Sequence, residues 1–267
     1  MSEIQYQYAP KSGIEYLEKK GNGPVMILLH GISSGAYSWV KQLQDPTIDA
    51  YLIAWNAPGY GKSKPLTEEA SLAVEYADRL ALFIEELGGS QLILVGHSLG
   101  AMMAASFAAK YPHYLTRLVL ISPAQGYAKE SASVKEEVYQ RRPQLLERLG
   151  GLGMAEERGP YLLGNASPEN MAIVRQVSER LTMQGFTQAS YLLAYDSIDD
   201  ALVDIQSTLP IDLYFGAQDG ITPPEGMAEL AARHPQLHLI KVTNAGHLAY
   251  IDQPAFFKAT LFKNEAV

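Results

Sequence analysis

The chain has 267 residues, 47% of them apolar, enough to bury a substantial core in one α/β domain. Its formal charge of −8 at pH 7 argues against a nucleic-acid surface, which needs clustered Lys and Arg. The absence of cysteine excludes a disulfide scaffold, a cysteine nucleophile and thiolate metal sites.

Met1 to Pro10 shows no basic start followed by an apolar run, so no secretory signal is expected. Apolar stretches throughout are short and interrupted, so no membrane contact is expected and the cytoplasm is the expected location. Ile4 to Tyr8 and Ile14 to Lys19 alternate apolar and polar residues, which predicts a half-exposed antiparallel pair turning through Pro10 and Gly13. Val25 to Leu29, Leu92 to Val95 and Leu118 to Ile121 are continuously apolar, the pattern of parallel strands covered on both faces. Ala50 to Trp55 is a further candidate, and Leu213 to Phe215 and Leu237 to Val242 read as later strands. Between them, Leu72 to Leu87 carries an apolar stripe at helical spacing, with Thr67 as expected N-cap and Gly88-Gly89 as the stop. Further helices are expected from Leu99 to Tyr111, from near Pro224 and from near Pro254.

Strand and helix in alternation predict an α/β sheet with crossover helices. Ala124 to about Ser207 breaks the rhythm. It has helical patterns beginning near Ser131 and Ser167, glycines at 150, 151 and 153 that should interrupt helices, and no buried strand. A helical insertion of this kind reads as a cap over one end of the sheet. The expected organisation is therefore a core of residues 1–123 and 208–267 with a cap at 124–207.

Gly96-His97-Ser98-Leu99-Gly100 lies between a predicted strand and a predicted helix. A serine on such a tight turn stands above the sheet, and its crowded neighbours must be glycines. The N–H groups of the following helix favour developing negative charge. Ser98 is thus the candidate nucleophile. Leu99 N–H, with Ile32 N–H from the His30-Gly31-Ile32 loop, is the candidate oxyanion hole. A serine hydroxyl needs a base. Of six histidines, His247 in Asn244-Ala245-Gly246-His247 follows a strand at the same sheet edge and is the candidate. His97 is expected to point away from the serine, and His30 to be structural. The acid that would hold the base is Asp219, just past the Leu213 to Phe215 strand, because ligands bind at the carboxyl ends of such strands. Asp212 enters that strand from its other end, Asp252 follows His247 too closely, and Asp196, Asp199 and Asp200 read as surface charges.

Gly61-Lys62-Ser63 resembles the end of a phosphate-binding loop, but the required glycine is Asn56. No His-x-x-x-His pair sits on a helix, so no metal is expected. Trp39, Tyr127 and Tyr191 are candidates for pocket lining, and Arg141, Arg142, Arg175 and Arg180 for pairing a substrate carboxylate, although core packing and exposed helix faces explain them more simply.

Together these residues resemble the α/β-hydrolase superfamily over nearly the whole chain. The matching pieces are His30-Gly31, Pro58 to Ser63, the Gly96 to Gly100 elbow, Gly216 to Asp219 with Thr222-Pro223-Pro224, and Ala245-Gly246-His247 with Gln253-Pro254, in the order Ser, Asp, His. The resemblance implies an eight-stranded sheet, its second strand antiparallel, with the cap after the sixth. Members usually carry an acidic residue where Asn56 stands, and Asn56 is expected to brace a loop. Members that cleave carbon–carbon bonds of ring-fission products often have a Gly-Pro-Gly oxyanion loop and a cap tryptophan. Here the loop is Ile32 to Gly35, and Trp39 and Trp55 lie outside the cap. The leading expectation is a small-molecule carboxylesterase working through an acyl-enzyme without a cofactor. A carbon–carbon hydrolase or enol-lactonase with the same triad is the alternative, and a non-catalytic small-molecule binder on this fold is the third.

Overall fold

The computed structural model describes residues 4–89 and 91–262. Eight strands form one sheet: β1 (Gln7–Ala9), β2 (Ile14–Lys19), β3 (Val25–Leu29), β4 (Tyr51–Trp55), β5 (Leu92–His97), β6 (Leu115–Ile121), β7 (Ile211–Gly216) and β8 (Leu237–Val242). Their spatial order is β1-β2-β4-β3-β5-β6-β7-β8. β2 runs antiparallel to both neighbours and the remaining pairs are parallel. The first hairpin turns at Gly13, where φ is +72° and the N–H donates to Ala9 O at 2.8 Å.

Ten α-helices accompany the sheet among the described residues: α1 (Val40–Leu43), α2 (Ala73–Glu86), α3 (Leu99–Lys110), α4 (Ala132–Leu162), α5 (Pro168–Ser178), α6 (Met183–Tyr195), α7 (Ile198–Asp204), α8 (Pro224–Arg233), α9 (Ala249–Asp252) and α10 (Pro254–Thr260). The apolar run of β3 has a physical cause in its two covers. Ile27 and Leu29 belong to the apolar cluster shared with α2 and α3, whereas Met26 and Leu28 belong to the opposite cluster, shared with α1, α9 and α10.

Between β6 and β7 the named elements are the helices α4 to α7. Ser131 and Ser167 cap α4 and α5, accepting from Val134 N–H at 3.4 Å and Asn170 N–H at 3.2 Å. Gly150 breaks α4 in two at φ 66°, ψ 174°. The stretch leaves and rejoins the core beside itself, through an isolated bridge between Gly126 and Ser197.

Some boundaries differ from the sequence expectation. The first strand is Gln7–Ala9 rather than Ile4 to Tyr8. β6 and β7 begin earlier than their apolar runs, at Leu115 and Ile211. α2 starts at Ala73, not after Thr67. Its start is set from far along the chain: the Asp196 carboxylate accepts the Ala73 N–H at 2.7 Å, and Glu75 accepts the Leu72 N–H at 2.8 Å. Asp196 is accordingly no surface charge. Burial raises its pKa, and the Ala73 and Ser197 amides offset part of that rise. Among the described residues, no helix is long and apolar enough to cross a membrane.

Candidate active site

The parallel register aligns the carboxyl ends of the central strands. Leu29 of β3 lies opposite Gly96 of β5, Ile121 of β6 opposite His97, and Gly216 of β7 opposite Val242 of β8. The loops leaving these ends carry Ile32, Ser98, Asp219 and His247.

β5 ends at His97 and α3 begins at Leu99, so Ser98 alone makes the turn. Its backbone sits at φ 53°, ψ −115°, a conformation L-residues rarely adopt. Hydrogen bonds on both sides hold it there. Ser98 N–H donates to Ile121 O at 2.9 Å, and Ser98 O accepts from Ala101 N–H at 3.0 Å and Ala124 N–H at 3.1 Å. A Cβ on Gly100 would lie 2.6 Å from His30 O and 2.7 Å from Leu29 O. Only glycine lets α3 approach β3 so closely.

Ser98, Ile32, Leu99 and His247 line one cavity of about 820 Å³. Neither Ile32 N–H nor Leu99 N–H donates to another group among the described residues. The Ile32 carbonyl, by contrast, accepts the Tyr60 hydroxyl at 2.7 Å. His30 braces the same loop: Ala57 N–H donates to Nε2 at 3.0 Å, which leaves Nδ1–H to donate to Gly31 O at 2.8 Å. Burial lowers the His30 pKa to about 4, so the ring stays neutral. Asn56 supports the neighbouring turn, accepting Ala36 N–H at 2.8 Å and donating to Glu15 at 2.7 Å.

His247 Nδ1 lies 2.9 Å from Asp219 Oδ2, and both side chains are almost fully buried. Burial pushes the Asp219 carboxyl up. His247, with the Thr222 and Ile221 amides, more than offsets this and holds its pKa well below the usual carboxylate range. The amides lie at 2.8 Å for Ile221 and 3.0 Å for Thr222. An ionised Asp219 places the histidine proton on Nδ1 and leaves Nε2 unprotonated and able to accept one. Among the described residues Ser98 Oγ has no hydrogen bond to the imidazole; such contacts commonly tighten when substrate binds.

Two side chains here escaped the sequence reading. Thr222 Oγ1 donates to Asp219 Oδ2 at 2.8 Å and stands 3.3 Å from His247 Nδ1. It was legible only as part of the Thr222-Pro223-Pro224 pattern. His97 does not simply point away from the site. Its ring is 4.7 Å from the His247 ring, and Nε2 meets the His247 carbonyl at 3.0 Å. Burial, with His247 adding to it, lowers its pKa well below the usual histidine value, so His97 is a neutral prop against the His247 ring.

The rejected acids have other partners. Asp212 holds Arg117 and His238 at the far end of the sheet. Asp199 binds His234 at 2.7 Å. Asp252 accepts Gly246 N–H at 2.9 Å, Gly164 N–H at 2.7 Å and Asn165 N–H at 3.1 Å, which ties the His247 turn to the end of α4. Of the pocket candidates, Tyr127 lines the cavity, Trp39 is stacked in the core on Tyr250 at 3.8 Å, and Tyr191 stacks on Tyr195 at 4.4 Å. Among the described residues, no group of three His, Cys, Asp or Glu could hold a metal ion.

Comparison with known proteins gives consistent neighbours. The family profile described as the alpha/beta hydrolase fold matches residues 24–254. An esterase from Thermogutta terrifontis, solved with malate bound, superposes with a TM-score of 0.79 at 25% identity over 97% of both chains. The enol-lactonase of Burkholderia xenovorans LB400 superposes at 0.77 with 17% identity, over 96% of this chain and 98% of its own. A relative in Enterobacter cloacae, RutD, whose name assigns it provisionally to carbamate hydrolysis, is 24% identical over 91% of both chains.

Proposed function

The chain belongs to the α/β-hydrolase family, and from that premise we propose that it is a carboxylic-ester hydrolase acting on small molecules through an acyl-enzyme. The family and the esterase neighbour support a hydrolytic role. The observation that carries the acyl-enzyme chemistry is the His247 Nδ1–Asp219 Oδ2 contact of 2.9 Å, with His247 on the same cavity wall as Ser98, and the choice of an ester as its substrate rests on the likeness to the Thermogutta terrifontis esterase.

In this reading Ser98 Oγ attacks the ester carbonyl while His247 Nε2 takes its proton and passes it to the leaving alkoxide. Water then attacks the acyl-enzyme, with His247 as base, and releases the acid. Asp219 orients the ring and stabilises its transient positive charge. Ile32 N–H and Leu99 N–H meet the oxyanion, at about 3 kcal/mol per donor. Residues 124–207 serve as a helical cap over the cavity. None of these steps calls on a cofactor.

The test assays purified protein against a short p-nitrophenyl ester, a lactone and a ring-fission dienoate, with a fluorophosphonate probe alongside. The expected result is ester turnover, a covalent adduct at Ser98, and a loss of at least about 10³-fold in kcat for Ser98→Ala. Full turnover by a folded S98A protein, or no adduct in the wild type, overturns the assignment.

A further inference from the structure

Four arginines, Arg141, Arg142, Arg148 and Arg158, line the cavity that holds Ser98, against two glutamates, Glu137 and Glu157. This is a positive wall inside a chain of net charge −8. None of the four arginines forms an ion pair with a carboxylate within 4.0 Å among the described residues. The contrast with the other two arginines of the same helical stretch is informative. Arg175 pairs with Glu156 at 2.5 Å, and Arg180 pairs with Glu15 and lies over the Tyr6 ring.

Arg142 is the innermost case. It is partly buried, and its recorded side-chain bond is from Nη1 to Val138 O, one turn back in its own helix, at a long 3.4 Å. Its strongest electrostatic neighbours are the Tyr127 and Tyr60 phenols and the Arg158 and Arg141 guanidiniums, with no carboxylate among them. Burying a guanidinium beside two like charges is costly unless an anion completes the site. Tyr60 links the place to the chemistry, because its hydroxyl holds the Ile32 carbonyl.

The geometry points to a substrate that carries a free carboxylate besides its scissile ester, seated on the Arg142 guanidinium with Arg141 beside it. The planar fork of arginine matches a carboxylate through two parallel N–H···O bonds. Four arginines against two glutamates leave an excess of positive charge on the wall, and competition with phosphate separates a carboxylate site from a general anion site. The assignment deepens the ester-hydrolase reading and rests on it for its catalytic readout, so binding is measured separately.

The kinetic arm compares mono-4-nitrophenyl glutarate with its methyl-capped neutral counterpart. Wild-type protein is expected to favour the anionic ester. Arg142→Gln is expected to lower the ratio of the two kcat/KM values by about 10- to 100-fold, and Arg142→Lys to retain part of it. A ratio untouched by R142Q overturns the proposal. The binding arm titrates glutarate into Ser98→Ala by calorimetry, with inorganic phosphate as competitor. Binding that weakens by about 10-fold or more in S98A/R142Q supports the site. Glutarate binding that is absent, equal in both variants, or displaced by phosphate at matching concentration overturns it. If neither ester is turned over, the nucleophile reading fails, and the titration still decides the carboxylate site. Circular dichroism confirms that each variant is folded, and R142K stands in if R142Q is not.

Discussion

The Tyr60 hydroxyl donates to the Ile32 carbonyl oxygen at 2.7 Å, across the turn that follows β4. The N–H proposed to meet the oxyanion belongs to Ile32 itself, so in that reading Tyr60 helps to fix its position without touching substrate. Tyr60→Phe removes the donor and keeps the ring against His30. A net hydrogen bond is worth about 1 kcal/mol, so a drop of several-fold in kcat is expected with little change in KM. Unchanged kcat in Y60F would show that the loop is held by His30 alone.

Asp219 accepts from His247, Thr222 and two backbone amides. Asp219→Asn keeps the shape but turns an acceptor toward a donor, which favours the wrong histidine tautomer. The comparable change in a Ser-His-Asp protease costs about 10⁴-fold in kcat, and a loss of that order is expected here. Thr222→Val should cost far less, because Asp219 keeps its amides. Steady-state kinetics on the two variants checks the ranking, and an N-substituted enzyme faster than the valine variant would contradict it.

Gly100→Ala places a methyl group 2.6 Å from the His30 carbonyl oxygen, where backbone on both sides leaves no room to yield. Overpacking of this kind costs about 1–3 kcal/mol. The expected readout is a lower urea midpoint together with weakened activity, since the displaced helix carries Leu99 N–H. A midpoint equal to wild type would mean that α3 and β3 can separate freely.

Acid should destabilise the fold early. His30 titrates at about 4 in the folded chain and near 6.5 in the unfolded one. Between these values the unfolded chain binds the extra proton, so stability rises with pH across the window and is lost on acidification through it. The full effect is about 3 kcal/mol on the principle that one pH unit of pKa is worth about 1.4 kcal/mol. His97 acts in the same direction through its burial. Asp219 behaves otherwise: its depressed pKa keeps its contribution until the pH falls below the ordinary aspartate range. A falling Tm from pH 7 to pH 4.5 is expected, with a shallower slope in His30→Gln. A flat Tm over that range would contradict the neutral burial of both rings.

Much of this could be read from local pattern. The bounds of β2, β3 and β8 coincide with the segments read from the sequence, because the alternation of β2 and the continuous apolar run of β3 are written within five or six residues. The Ser98 turn was legible for the same reason: strand, glycine and helix start are neighbours in the chain. What depended on distant partners was not. The start of α2 is set by Asp196, 123 positions away. The role of His97 comes from a carbonyl 150 positions on. Arg142 and Arg180 look alike as helix-surface cations, and only the fold gives Arg180 a glutamate and denies one to Arg142.

The bridge between Gly126 and Ser197 gives the stretch beyond β6 a narrow neck. A segment whose two ends meet can be exchanged for another of different length without moving the sheet, much as an insertion is tolerated where entry and exit adjoin. Leu192, Leu193 and Ala189 of α6 belong to the main core, so a transplant would have to bring its own apolar underside. The molecule thus offers a natural seam for recombination, with Ser98 on one side and the arginines of the cavity wall on the other.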